Sequence, residues 1–133
     1  MTDMDRKFFK TEAVFQNYSK MHPFAQEVCA FMIQTALDEG VKDPMVTETK
    51  TTTEIDKALG RVSESHSDGR AWDFRTWNMT EEQRNSIMSK VNYKYGQYGA
   101  FNKIGARQLL VYHDSGHGAH LHCQLDRSFS VKK

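Results

Sequence analysis

Histidines are concentrated towards the carboxyl end of this 133-residue chain, where four of the six lie between positions 113 and 122. The segment AHLHCQLD at 119–126 alternates apolar and polar residues, the pattern of a half-buried β-strand. Its polar face would present the imidazoles of His120 and His122 side by side. Two imidazoles at this spacing can serve one metal ion, or they can simply face solvent on an edge strand.

A second polar cluster is the octapeptide HSDGRAWD, which begins at His66. Asp68-Gly69 indicates a tight turn, because glycine accepts the positive φ that such turns require. A two-residue hairpin loop at these positions would place His66 opposite Ala71, on the face that also carries Asp73. A wider loop would bring the histidine and the aspartate together as well. The octapeptide is also compatible with a turn that contains a hydrogen-bonded aspartate.

Together the two clusters supply imidazoles and a carboxylate, the typical ligands of a catalytic zinc ion with an open fourth position. Structural zinc sites in short domains more often use four ligands rich in cysteine. The two cysteines, Cys29 and Cys123, form no CxxC pair, and we expect both to be buried free thiols. Zinc lowers the pKa of a bound water towards about 7, which makes hydroxide available to attack a carbonyl. The clusters therefore predict one catalytic zinc ion per chain.

Capping residues and hydrophobic periodicity predict the elements that must position these clusters. Thr80 and Gln83 form a predicted capping box at the start of one helix, and Pro23 suits the first turn of another. The pattern predicts helices over 23–39 and 80–95, a brief helix or turn over 51–60, a loop over 96–105, and strands over 45–50, 71–76, 107–113 and 119–126. Helices and antiparallel strands alternate without a βαβ rhythm, so the expected class is α+β. The length fits one domain over 1–133.

Composition excludes several classes of function. The net charge is +1 without a clustered basic patch, which argues against nucleic-acid binding. Mean hydropathy is −0.70 and no apolar run approaches the roughly 18–20 residues of a membrane span, so we expect no membrane insertion. The first residues, MTDMDRKFFK, lack the apolar stretch of a secretory signal peptide. We therefore expect synthesis in the cytoplasm, and leave the oligomeric state open.

These motifs resemble those of a known peptidase superfamily. HSDGRAWD matches the His-x-x-Gly-x-Ala-x-Asp motif of the zinc D-alanyl-D-alanine carboxypeptidases and the phage L-alanyl-D-glutamate peptidases. AHLHCQ is similar to their second motif, in the His-x-His form of the penicillin-insensitive murein endopeptidases. The resemblance spans about residues 45–126. It implies the fold shared with the Hedgehog signalling domain, a small antiparallel sheet flanked by helices.

The resemblance also assigns roles to individual residues. It implies that His66, Asp73 and His122 bind the zinc ion. An upstream arginine in relatives binds a substrate carboxylate or the developing oxyanion, and Arg61 is the corresponding candidate here, although a solvated surface arginine is equally compatible. We expect Arg70 to lie at the surface.

The general base is the point at which this chain departs from the family. Many members have Glu or Asp three residues before the last zinc ligand, where this chain has Ala119. In the His-x-His form the first histidine takes the comparable place, so His120 is the candidate base and transition-state stabiliser. Asp114, His113 and His117 in the preceding segment are alternatives.

The implied activity is zinc-dependent hydrolysis of a peptidoglycan stem-peptide or cross-link bond next to a D-amino acid. Small size and the absence of a predicted signal peptide resemble phage endolysins, which reach the cell wall through a holin or as part of the virion. One alternative is a non-catalytic zinc-binding module that uses its cleft to bind a partner, which the alanine at position 119 favours. Another is a phage structural or assembly protein.

Overall fold

The computed structural model describes residues 4–60, 65–114 and 119–131, and it confirms the α+β class. A four-stranded antiparallel sheet has the order β1-β2-β6-β5, and a separate two-stranded sheet pairs β3 with β4. The strands are β1 (Val46–Glu48), β2 (Ala71–Arg75), β3 (Ala100–Phe101), β4 (Arg107–Gln108), β5 (Leu110–Asp114) and β6 (Ala119–Gln124). The helices are α1 (Glu12–Tyr18), α2 (Pro23–Asp38), α3 (Thr53–Ala58) and α4 (Glu81–Tyr95).

The two long helices begin where their capping residues predict. At the start of α4, the Thr80 hydroxyl accepts a hydrogen bond from Gln83 N at 3.0 Å, and Gln83 Oε1 accepts one from Thr80 N at 2.8 Å. This reciprocal pair is the predicted capping box. At the start of α2, His22 Nδ1 accepts a hydrogen bond from Phe24 N at 3.0 Å, and Pro23 occupies the first helical position. None of the described helices is both long and apolar enough to cross a lipid bilayer.

The predicted strand over 107–113 is divided in the structure, and part of the predicted loop before it forms β3. Leu109 and Leu110 are 1% and 6% exposed, so both side chains are buried although they are neighbours. Neighbouring side chains of a regular strand point to opposite faces, so this pair requires an irregularity between them. The chain therefore leaves the two-stranded sheet after β4 and enters the four-stranded sheet at β5.

One face of the four-stranded sheet forms the core together with α2 and α4. Trp72 and Phe74 on β2 are fully buried on this face, and so are Leu121 and Cys123 on β6. The predicted alternation along β6 is therefore confirmed, and the polar residues of the strand lie on the opposite face. Cys29 is also buried, and both thiols are free, as predicted.

Candidate metal centre

His66 is held by a loop that precedes β2. Gly69 N donates to His66 O at 3.0 Å and Arg70 N donates to Ser65 O at 3.2 Å, the pairing of a Schellman motif. Gly69 adopts the positive φ of +73° that this motif requires. Of the two loops that the sequence leaves open at Asp68-Gly69, the two-residue hairpin does not form and the wider loop does. The wider loop still brings the histidine next to the following strand.

Arg70 anchors this loop, so the prediction that it lies at the surface is wrong. Its side chain is buried, and the guanidinium donates hydrogen bonds to Leu125 O at 2.9 Å and to Asp68 Oδ2 at 3.2 Å. On the other side of the loop, His22 N donates to Gly69 O at 2.9 Å. The loop is thus tied to the end of β6 and to the start of α2.

The other site residues form a row across three neighbouring strands. Glu48 on β1 pairs with Asp73 on β2, and Asp73 pairs with His122 on β6. The register shifts by one residue between Val46 and Glu48, which is a β-bulge. Val46 pairs with the residue after Asp73 and is buried, whereas the bulge brings Glu48 to the face that carries the site.

The His66 ring is anchored at one nitrogen and faces two carboxylates with the other. Nδ1 lies 3.0 Å from Thr49 O, and because a carbonyl oxygen only accepts, Nδ1 donates this hydrogen bond. Nε2 lies 3.5 Å from Asp73 Oδ1 and 3.4 Å from Glu48 Oε1. In the neutral ring Nε2 carries the lone pair, so it is the nitrogen that can bind a metal.

The His122 ring has the complementary arrangement. Its Nε2 lies 2.9 Å from Gln124 Oε1 and its Nδ1 lies 2.9 Å from Asp73 Oδ1. The amide oxygen of Gln124 accepts a hydrogen bond from Nε2, which leaves Nδ1, the nitrogen that faces Asp73, as the one that can bind a metal. The His66 and His122 rings are 5.3 Å apart between centroids.

These groups converge closely enough to hold one ion. One ligand atom from each of His66, Asp73 and His122 lies within 4.8 Å of the others. With zinc–ligand bonds of about 2.0–2.1 Å, tetrahedral ligand atoms lie roughly 3.3 Å apart. The distances of 3.5 Å and 2.9 Å from Asp73 Oδ1 to the two imidazole nitrogens bracket that separation. Within the described parts of the chain, no other His, Cys, Asp and Glu side chains form such a group.

Electrostatics at the centre favour the ionised form of Asp73. Burial raises the pKa of this carboxyl, but hydrogen bonds and charges from His122 and His66 outweigh burial and hold the pKa well below its usual range. Burial lowers the pKa of His66, but Asp73 and Glu48 outweigh this effect and raise the pKa above its ordinary value. Asp73 therefore favours the carboxylate form that a cation requires, and protonation of His66 would compete with a cation for this site.

His120 lies beside the three-residue group and outside it. Its Nε2 is 3.9 Å from Asp73 Oδ1, and its side chain is 18% exposed. It is next to His122 on the polar face of β6, as the strand alternation predicts. The His120 imidazole therefore lies at the edge of the three-residue group, on the side of Asp73.

Several sequence candidates lie outside the described residues. Arg61 and His117 fall in the segments 61–64 and 115–118, which the structure does not describe. His113 and Asp114 belong to β5, but their side chains are outside the described part.

Two residues of the site were missed at the level of sequence. Gln124 lies two residues after His122 on the same strand face, so its contact with that histidine follows from strand alternation and could have been predicted. The position of Glu48 depends on the bulge in β1, and no residue pattern in the sequence predicts that bulge. Comparisons of the chain with protein families, with curated proteins and with solved structures find no match.

Proposed function

We propose that this protein is a single-domain zinc peptidase that hydrolyses a peptidoglycan stem-peptide or cross-link bond next to a D-amino acid. The observation that supports this proposal most directly is that His66 Nε2 and His122 Nδ1 both lie close to Asp73 Oδ1, at distances suited to ligands of one ion. The proposal includes the Hedgehog and D-alanyl-D-alanine peptidase fold. This fold is supported by the small antiparallel sheet, in which β2 carries the end of the first motif and β6 carries the second.

The donor set supports a catalytic rather than a structural ion. It contains two imidazoles and one carboxylate, which leave one of the four positions of zinc open. The two cysteines are buried in the core, away from the polar face of the sheet. When bound, zinc would supply a water of lowered pKa and would polarise the carbonyl oxygen of the substrate.

The chain's own residues would orient the ligands and handle the proton. Thr49 O and Gln124 Oε1 fix the orientations of the two histidine rings. His120 is the proposed catalytic side chain, since its imidazole lies at the edge of the site, where it can act as a base or stabilise the transition state. Arg61 is proposed to contact the substrate carboxylate.

A second candidate function is a zinc-binding interaction module that does not catalyse hydrolysis. The observation that favours it is Ala119, at the position where many of the resembled peptidases carry their acidic residue. In that case the ion would stabilise the sheet and the loop, and the open face would bind a partner. Digestion of the substrate separates the two functions.

The test is incubation of zinc-loaded protein with purified peptidoglycan, followed by mass analysis of the released fragments. We expect new stem-peptide termini with the wild type and at least a hundredfold fewer with His120→Ala, which should keep its zinc. His22→Asn is the matched control, because the His22 ring caps α2 and does not belong to the metal centre, and asparagine also caps helices. The hydrogen bond from His22 to Gly69 O is donated by the backbone nitrogen, so the substitution retains it. Wild-type protein with one zinc per chain and no released fragments would support the interaction module instead.

The route to the wall is part of the proposal. Synthesis in the cytoplasm, followed by release at lysis or packaging in a virion, would bring the protein to its substrate. The protein can be added to intact cells and, in parallel, to purified cell walls, and the released fragments can be compared. The difference would show which barrier the protein has to pass.

A further inference from the structure

Glu48 is a carboxylate at the metal centre that the sequence motifs do not assign. Its Oε1 lies 3.4 Å from His66 Nε2, the nitrogen available to a metal. Its side chain is 24% exposed, whereas that of Asp73 is 12% exposed, so Glu48 lies nearer the open side of the centre. It stays outside the group of three whose ligand atoms lie within 4.8 Å of one another.

This placement suits contact with a water better than direct binding of the ion. In a tetrahedral centre the fourth position lies roughly 3.3 Å from each protein ligand atom. Glu48 Oε1 lies at about this distance from His66 Nε2. It does not belong to the group formed by the ligand atoms of His66, Asp73 and His122. A carboxylate at the rim of the fourth position accepts a hydrogen bond from whatever water lies there.

We propose that Glu48 is a catalytic residue of this centre, which holds the attacking water and accepts its proton. The inference rests on the proposed metal centre and deepens the proposed peptidase function. Many of the resembled peptidases carry an acidic residue at the position of Ala119, on the strand of the second motif. In this chain Glu48 would supply the acidic group from β1.

The proposed hydrolysis transfers one proton from the water, through Glu48, to the leaving nitrogen. The water oxygen forms a bond to the carbonyl carbon of the scissile amide, and its proton passes to Glu48. As the carbon–nitrogen bond breaks, the same proton passes from Glu48 to the leaving nitrogen. The products are a carboxylic acid and an amine, and Glu48 returns to a carboxylate.

Glu48 and His120 would divide the work between them. Glu48 lies on β1 and His120 lies on β6, so the two residues are on opposite sides of β2, the strand that carries Asp73. With the water on the Glu48 side, the carbonyl oxygen of the substrate is left to the imidazole of His120. His120 is then the transition-state stabiliser, and Glu48 is the base.

The decisive experiment measures azide binding to cobalt-substituted protein from its visible absorption spectrum, which is independent of peptide cleavage. Azide is an anion that binds at the open position, so a carboxylate beside that position weakens its binding. We expect Glu48→Gln to bind azide roughly three- to tenfold more tightly than the wild type. Glu48→Asp keeps the charge and should resemble the wild type, and Glu81→Gln on α4 is the control for loss of an exposed glutamate.

The outcomes separate this proposal from the metal centre itself. Unchanged azide affinity in cobalt-loaded Glu48→Gln would overturn the role of Glu48 and leave the centre intact. Loss of cobalt from a folded Glu48→Gln protein would make Glu48 a ligand and also overturn the proposal. Failure of the wild type to bind cobalt would remove the centre and this proposal with it. If Glu48→Gln does not fold, Glu48→Ala removes the same charge and is measured in its place.

Discussion

Asp73 and His122 are direct cross-strand partners, and Oδ1 of the aspartate lies 2.9 Å from Nδ1 of the histidine. Two of the three proposed ligands are therefore fixed by regular antiparallel pairing. His66, in contrast, reaches the same oxygen from a loop that depends on one glycine and one buried arginine. The sheet therefore sets the positions of two proposed ligands, and the loop sets the position of the third.

Gln124 should control the affinity for zinc through His122, although it does not contact the ion. We expect Gln124→Leu to weaken zinc binding roughly 10- to 100-fold, because the His122 ring loses the acceptor that fixes its orientation. Competition with a chromophoric chelator measures this affinity. Gln124→Glu retains an acceptor oxygen and should stay close to the wild type. Equal zinc affinity in the leucine variant would show that Asp73 alone orients the ring.

Gly69→Ala should destabilise the fold and weaken zinc binding together. A Cβ at this position would lie 3.0 Å from Val131 Cγ2 and 3.4 Å from Met21 Cα, and the φ of +73° is unfavourable for alanine. We expect a loss of roughly 2–3 kcal/mol in the free energy of unfolding, from backbone strain plus crowding. Urea unfolding measures the stability, and chelator competition measures the zinc affinity.

Gly60→Ala is the matched control for this substitution. Gly60 has a φ of +72°, but a Cβ there would meet no atom of the described residues within 4 Å. This variant should lose only the backbone contribution, about 1 kcal/mol, and should bind zinc as the wild type does. Equal losses of stability in the two variants would contradict a role for the packing against Gly69.

The part of the site that could be predicted from sequence is the part that lies on regular strands. Period-2 alternation places Asp73 and His122 on the polar face, because nothing in β2 or β6 interrupts the pleat. Glu48 could not be predicted, since a one-residue bulge in β1 sets its direction. The size of the loop at Gly69 could not be predicted, because an Asp-Gly pair suits both a hairpin and a Schellman motif.

The same reasoning explains the errors in the rest of the fold. The helices α2 and α4 have local start signals that act within one turn, so their positions could be predicted. The break before β5 instead allows the adjacent side chains of Leu109 and Leu110 both to be buried. Its position depends on the tertiary packing around these two residues. Burial of Arg70 likewise depends on Leu125 O, which is 55 residues away in the chain.

The stability of the metal-free protein and the additional stability contributed by zinc should depend on pH in opposite directions. In the metal-free protein the pKa of His66 is raised above 6.5, against the effect of burial, by Asp73 and Glu48. Its stabilising contribution is therefore complete below about pH 6.5 and is lost as the pH rises through the raised pKa. The lowered pKa of Asp73 adds stability that is present above 3.8 and is lost only as the pH falls below it.

Urea unfolding with a chelator should accordingly show greater stability at pH 5.5 than at pH 8. Zinc binds only deprotonated imidazoles, so the stabilisation by excess zinc should be larger at pH 8 than at pH 5.5. His66→Asn removes the titrating ring, and we expect it to reduce both trends. If the variant kept the wild-type difference between pH 5.5 and pH 8, groups other than His66 would govern the stability in this range.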